Sequence, residues 1–367
     1  MKIPFLSFDY MHGFLRNEAI ESFKDFYDSH YYILGNKVKQ FEKEYAAFTG
    51  TSYCVGVSNG LDALFMALKT LNIQKGDEVI VPSNTYIATA LAVTYTGATP
   101  VFAEPDIQTY NLTAENIKKK ITNKTKAVIP VHLYGQACEM NDIISLCNAE
   151  NLFVVEDNAQ AHGAAYNRKL TGSFGKINAN SFYPGKNLGA LGDAGAVTTD
   201  DLMLAEKAMV LRNYGSKEKY YNEVIGFNKR LDEMQAAFLS LKLKYLDLFT
   251  KERVKIAAVY FENLKNTGDI ILPEIASGAT HVFHLFVVRT KRRNELQNYL
   301  QSKGIGTLIH YPVPAFMQKA YEYLETDNND FPIAKELAKT VLSLPLWPGL
   351  TEMQLEYIIE CIKDFYK

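Results

Sequence analysis

Between residues 50 and 200 short apolar runs alternate with longer amphipathic ones, and no other feature limits the possible folds as tightly. The spacing predicts strands at 53–57, 78–82, 100–103, 127–131, 152–155, 179–183 and 195–199. Helical patterns at 60–72, 85–96, 113–120 and 139–150 lie between most of them. Two parallel strands can be joined only by a crossover of about a dozen residues or more, which a helix supplies. This pitch therefore predicts right-handed βαβ units and an α/β fold with a mostly parallel sheet, covered on both faces. Ligands bind such sheets in the crevice at the carboxyl ends of the strands. Helical periodicity then dominates 229–266. A mixed segment follows, with a strand at 281–289 and helices near 292–303, 333–342 and 352–366. The change of rhythm predicts a large α/β domain at 1–246 and a smaller α+β domain at 247–367.

Charge and cysteine usage narrow the class. Lys and Arg number 39 against 41 Asp and Glu, a net charge of −2 that gives no reason to expect nucleic acid or a membrane surface as partner. The basic run Lys118–Lys120, continued by Lys124 and Lys126, falls at a helix end, where cations offset the helix dipole on a solvated face. Asp9, His12 and Arg16 interrupt the stretch that a secretory leader would need, and no run approaches the ~18 apolar residues of a membrane helix. Cys54, Cys138, Cys147 and Cys361 are scattered without a CxxC pair, so neither a zinc site nor a disulfide scaffold is expected, and no metal. A reducing, cytoplasmic compartment follows from that pattern.

Three segments could carry chemistry. In 181–195 a strand runs into a loop rich in glycine that holds one lysine, Lys186. Such a lysine can bind phosphate or, desolvated, act as a carbonyl-reactive amine. A tight structural connection with an exposed lysine reads equally well, and the absence of GxxxxGK[ST] excludes a Walker A loop. In 154–163 a buried-strand pattern ends in Asp157, which could hold a cationic ring nitrogen or simply cap the next turn. In 56–64 a strand passes through Ser58, Asn59 and Gly60 into a helix, whose free N–H groups suit phosphate as well as an ordinary cap. Their co-occurrence at strand carboxyl ends of one sheet favours pyridoxal 5′-phosphate.

The segments PSNTYIATALA (82–92), PVHLYGQ (130–136), EDNAQAHGA (156–164), SFYPGKNLGALGDAGAV (181–197), GFNKRLDEMQAA (226–237) and HYPVP (310–314) together resemble the DegT/DnrJ/EryC1/StrS sugar aminotransferases over essentially the whole chain. The resemblance implies a pyridoxal-phosphate-dependent transferase of fold type I, similar to aspartate aminotransferase. By that resemblance Lys186 matches the Schiff-base lysine and Asp157 the acid that pairs with the pyridine nitrogen. Gln160 matches the residue at the ring hydroxyl and Tyr86 the aromatic stacked on the ring. Gly60, Leu61 and Ser181 match the phosphate cradle, which Asn228 completes from a neighbouring subunit, implying a homodimer with shared sites. Tyr183, His310 and Tyr311 fall where relatives contact a sugar nucleotide, although His310 reads equally as a structural histidine at a strand end. L-Glutamate would be the amino donor.

Two departures bear on the substrate. Gly60-Leu61 stands where many relatives have Gly-Thr, and this GLDAL sequence looks like the enzymes that aminate C3 of dTDP-linked 3-keto-6-deoxyhexoses rather than C4. The Tyr-Pro-x-Pro-x-His motif ends here in Phe316. A 4-keto sugar aminotransferase is the alternative. More remote are a sugar dehydratase, which would carry histidine at position 186, and a non-enzymatic regulator of the same fold.

Overall fold

The computed structural model describes residues 1–367, with the side chain of Asn328 left aside. The central sheet is built from β1 (Tyr53–Val57), β2 (Glu78–Pro82), β3 (Thr99–Ala103), β4 (Thr125–Val128), β5 (Phe153–Val154), β6 (Asn178–Ser181) and β7 (Gly195–Thr199). Strands β3-β2-β4-β5 form a parallel ladder, and β1-β7-β6 an antiparallel one. Parallel bridges from Asp157 to Val131 on one side and Ala179 on the other join them, giving the order β3-β2-β4-β5-β6-β7-β1. Only β7 runs against the rest. Its connection to β6 is the loop 182–194 rather than a helical crossover, and a loop can return the chain antiparallel at once.

Burial explains the sequence pattern. Val79, Ile80, Val81, Ala127, Val128 and Ile129 are shielded from solvent, as expected of strands covered on both faces. The helix Gly60–Thr70 is apolar around most of its circumference and nearly all its residues are buried, because it packs on β6 and β7 as well as on the helix Ile87–Thr96. Burying a side chain such as Leu64 or Leu68 removes ~1.5–3 kcal/mol of exposure cost each. Four free cysteines are all buried, and among the described residues no helix is long and apolar enough to cross a membrane.

After residue 250 a second core forms around Tyr260, Phe286, Leu296, Leu342 and Ile358. Its strands, β8 (Phe286–Arg289) and β9 (Val341–Leu344), pair antiparallel from Phe286↔Leu344 to Arg289↔Val341. Ile3 joins this core, tied by its N–H to the Gly304 carbonyl at 2.8 Å. We propose a division at 246/247, supported by the helix Leu246–Leu264, which starts against one core at Leu246 and ends in the other at Leu264.

Several expectations need correction. The strand foreseen at 281–289 is extended only from Phe286: the Phe283 N–H bonds the His281 ring at 2.9 Å and Phe283 turns left-handed (φ 45°), which breaks the ladder. The helix foreseen at 333–342 stops at Thr340, because Val341 enters β9. The helical run 229–266 is two helices, Glu233–Leu243 and Leu246–Leu264, and Asp232 lies in an isolated bridge with Ile33 instead. Helices Asp9–Asp28, Asn36–Thr49 and Leu202–Arg212 had no counterpart in the sequence reading. The second is capped from afar: the buried Glu233 carboxylate accepts the N–H groups of Gly35, Lys37 and Val38 at 2.7–2.9 Å.

Candidate active site

The carboxyl ends of β1, β5 and β6 open onto a cavity of about 830 Å³, closed on its other side by residues from beyond 250. Gly60, Leu61, Tyr86, Asp157, Gln160, Ser181, Tyr183, Lys186, His310 and Tyr311 all line it. Asn228 does not. It sits in a bridge with Asn213, and its neighbour Lys229 makes an ion pair with Asp62.

The first wall is the start of the helix Gly60–Thr70. Asn59 caps it, its Oδ1 accepting the Asp62 N–H at 2.8 Å, and its own carbonyl takes the Ala63 N–H. That leaves the first two amides, on Gly60 and Leu61, for an anion, where the helix dipole also favours negative charge. Gly60 is required by close approach: a Cβ there would lie 2.4 Å from the Ser181 Cβ and 2.8 Å from its Oγ. A helix N-terminus and a serine hydroxyl are thus pressed together into one small cradle.

The second wall is Asp157, at the end of β5 and almost wholly buried. Its Oδ1 accepts the Ala159 N–H at 3.1 Å and its Oδ2 the Thr89 hydroxyl at 2.9 Å, so the carboxylate is held rigidly. Burial pushes its pKa up, against the opposing pull of those two donors and of Lys186. Thr89, itself bonded to Thr85 at 2.9 Å, was not singled out from the sequence, although it lies inside the 82–92 segment.

Lys186 stands in the loop between β6 and β7. Its N–H returns to the Tyr183 carbonyl at 2.8 Å, and Phe182 pairs with Ala194 and Ala190 across the loop's base. Gly189 permits the tight return, since a Cβ there would meet the Pro184 carbonyl oxygen at 2.2 Å. Burial lowers the Lys186 amine to about 8, and the Asp157 charge pulls the other way. A desolvated amine that is partly free base at neutral pH is a nucleophile toward carbonyls. Lys186 is not exposed: it is half-buried and lines the cavity.

The aromatic and polar rim comes from several segments. Tyr86 and Tyr311 face each other with centroids 5.3 Å apart, and Tyr86 and Tyr183 remain exposed toward the opening. Gln160 accepts the Tyr134 N–H at 2.6 Å and donates to the Tyr311 hydroxyl at 3.1 Å, so its amide is oriented from both ends. His310 bonds Ser343 through Nδ1 at 2.8 Å, and burial together with Lys186 lowers its pKa to about 4, which keeps the ring neutral. Phe316 is buried against Phe331 at 4.4 Å and does not line the cavity, so the motif's missing histidine leaves a core aromatic there.

Behind Asp157, Glu156 is buried and accepts N–H groups of Gly172, Phe174 and Gly175 at 2.6–2.9 Å and the His132 Nε2 at 2.8 Å. That carboxylate favours a charged imidazole. The other ring nitrogen already accepts the Cys138 N–H at 3.0 Å, however, so a second ring proton has no place, and His132 is a neutral donor. The pair locks the strand end that carries Asp157, whose carbonyl accepts the His132 N–H at 3.2 Å.

The residues present fit pyridoxal 5′-phosphate: an anion cradle, an acid for a ring nitrogen and an amine share one cavity. Comparisons with known proteins agree. The model of the DegT/DnrJ/EryC1/StrS aminotransferase family matches residues 14–363. The chain is 50% identical, over 99% of both chains, to the dTDP-3-amino-3,6-dideoxy-alpha-D-galactopyranose transaminase of Aneurinibacillus thermoaerophilus. It is similar to the crystal structure of S. venezuelae DesV, with 45% identity, a TM-score of 0.98, and 100% of this chain and 99% of that one covered. It is also similar to NtdA of Bacillus subtilis with bound cofactor PMP, with 30% identity, a TM-score of 0.91, and 98% and 84% covered.

Proposed function

The chain belongs to the DegT/DnrJ/EryC1/StrS aminotransferase family and uses pyridoxal 5′-phosphate, and we propose that it aminates C3 of a dTDP-linked 3-keto-6-deoxyhexose with L-glutamate as donor. The observation that carries this reading is the half-buried Lys186 amine, at about 8, sharing one cavity with the buried Asp157 carboxylate, in a chain half identical to a dTDP-3-amino-sugar transaminase. The Leu61 side chain on the cavity wall, in place of threonine, supports C3 over C4 by the resemblance of the GLDAL segment.

Bound in the cavity, the cofactor supplies an electron sink for the charge left when a proton leaves the substrate carbon. The amides of Gly60 and Leu61 and the Ser181 hydroxyl would hold its phosphate. Asp157 would hold a proton on its ring nitrogen, and a carboxylate already fixed by Thr89 and Ala159 needs no reorganisation to do so. Tyr86 would cover the ring face, and Gln160 would meet the ring hydroxyl. Lys186, freed as an amine, would carry the proton between substrate and cofactor, a role suited to a pKa near the working pH. Tyr183, His310 and Tyr311 at the opening would meet the sugar nucleotide. Asn228, absent from its own chain's cavity, fits the reading that it completes a partner's phosphate cradle in a homodimer. We place the enzyme in the cytoplasm, making amino sugar for a surface glycan such as lipopolysaccharide O-antigen, or for a glycosylated metabolite.

The test is incubation of the purified holoenzyme with glutamate and a panel of 3-keto and 4-keto sugar nucleotides, with products identified by NMR. A new amine at C3 of a dTDP-sugar is expected. Amination confined to 4-keto substrates would overturn the regiochemistry, and no amination with any of them would overturn the substrate class.

A further inference from the structure

The side of the cavity opposite the phosphate cradle holds a charge that the steps above do not use. Arg253, on the helix Leu246–Leu264, lines the cavity yet is only 2% exposed. Its Nη1 donates to three backbone carbonyls, Phe283 and Leu346 at 3.2 Å and His284 at 3.5 Å. Among the described residues neither Nε nor Nη2 is hydrogen-bonded to the protein. Among the described residues no carboxylate pairs with it, and the cavity's acids, Asp157 and Asp193, are not bonded to it. Beside it His284 lines the same wall with a buried Nδ1 that has no partner among the described residues.

An unpaired buried guanidinium is costly, and buried charges are ordinarily paired or hold a ligand. Three carbonyls anchor one nitrogen of the group, and Nε and Nη2 remain without a protein bond in a residue that lines the cavity. A planar donor fork of this kind matches a carboxylate. Burial draws the guanidinium down only to about 10, so it stays charged at neutral pH.

We propose that Arg253, assisted by His284, binds a carboxylate of the amino donor and is a donor-specificity residue of this site. The proposal rests on the reading that the donor is a dicarboxylic amino acid. It explains how one cavity can take two unlike substrates in turn. The keto-sugar nucleotide needs polar contacts at the opening, whereas the donor needs an anion site deeper in the cavity.

Holoenzyme and its Arg253→Met and Arg253→Lys variants are mixed rapidly with L-glutamate, and the loss of the cofactor's visible band is followed. Pyridoxamine-loaded protein is mixed separately with the keto-sugar nucleotide. Arg253→Met is expected to slow the glutamate half-reaction ~30-fold or more, chiefly by weaker binding, with the sugar half-reaction within about threefold of wild type. Arg253→Lys should recover part of the loss. Equal losses in both halves, a loss confined to the sugar half, or no loss would each overturn the proposal. If Arg253→Met does not fold, calorimetry on wild-type holoenzyme decides. Glutarate should bind at least ~10-fold more tightly than its uncharged diamide, and equal binding overturns the assignment. Wild-type protein that ignores glutamate yet binds glutarate would refute the donor while leaving the arginine site standing.

Discussion

Replacing Gly60 with alanine tests whether the phosphate cradle is shaped by the missing side chain. The new methyl would sit 2.4 Å from the Ser181 Cβ, 2.8 Å from its Oγ and 3.1 Å from its Cα. Carbon atoms rest ~3.5–4.0 Å apart, so more than ~1 Å of separation has to be found. Neither side yields cheaply, because Ser181 ends β6, paired with Gly195 of β7, and Gly60 begins a buried helix. Overpacking of this kind costs ~1–3 kcal/mol. With ~2.1 cal/mol/K of unfolding entropy per residue, a chain of this length should lose about 1–4 °C in Tm when free of cofactor. The functional loss should be larger. Displacing the Gly60 and Leu61 amides from Ser181 by about 1 Å should weaken cofactor binding ~10–100-fold, the scale on which such misplacements act. Equilibrium dialysis of pyridoxal 5′-phosphate and a thermal melt of the cofactor-free protein measure the two effects. Adding Ser181→Gly, which removes the obstructing Cβ and Oγ, should restore Tm with a coupling of ~0.5–3 kcal/mol while leaving affinity low for want of the hydroxyl. Wild-type affinity and an unchanged Tm in Gly60→Ala would refute the reasoning.

Three further outcomes are expected. Asp157→Asn should lose ~2–4 kcal/mol of transition-state stabilisation, read as kcat/KM, while still folding; an unchanged value would reduce Asp157 to a turn cap. In the cofactor-free protein Lys186 is charged below about 8 and a free amine above it, so its rate of reaction with pyridoxal phosphate should rise with pH to a midpoint near about 8. Because the Asp157 charge raises that midpoint, Asp157→Asn should shift it lower, and an upward shift would contradict the assigned cause. Finally, mixing inactive Lys186→Ala with inactive Asn228→Asp should restore up to about one quarter of wild-type activity under random pairing, since half the dimers are mixed and each holds one intact site. A mixture that stays inactive despite proven subunit exchange would place Asn228 in its own chain's site.

The sheet and the residues at its strand ends were legible from local pattern. Apolar runs at strand spacing place β1 to β7, and Gly60, Asp157 and Lys186 follow because each stands at or shortly after the end of such a run, whereas Ser181 was named only through the family resemblance. Where side-chain bonding competes with the ladder, pattern misleads: His281 and a left-handed Phe283 shorten β8 at a place that reads as continuous strand. Capping across a distance is equally silent, since the helix Asn36–Thr49 depends on Glu233, some two hundred positions later. Thr89, which fixes Asp157, and Arg253 with His284, which face the cavity from the opposite wall, gain their meaning only when distant segments close around one space. Hydrophobic periodicity records which face of an element is buried and not what that face is buried against, so a strand-end lysine can be found by counting, whereas an arginine's missing partner becomes visible only when the chain is folded.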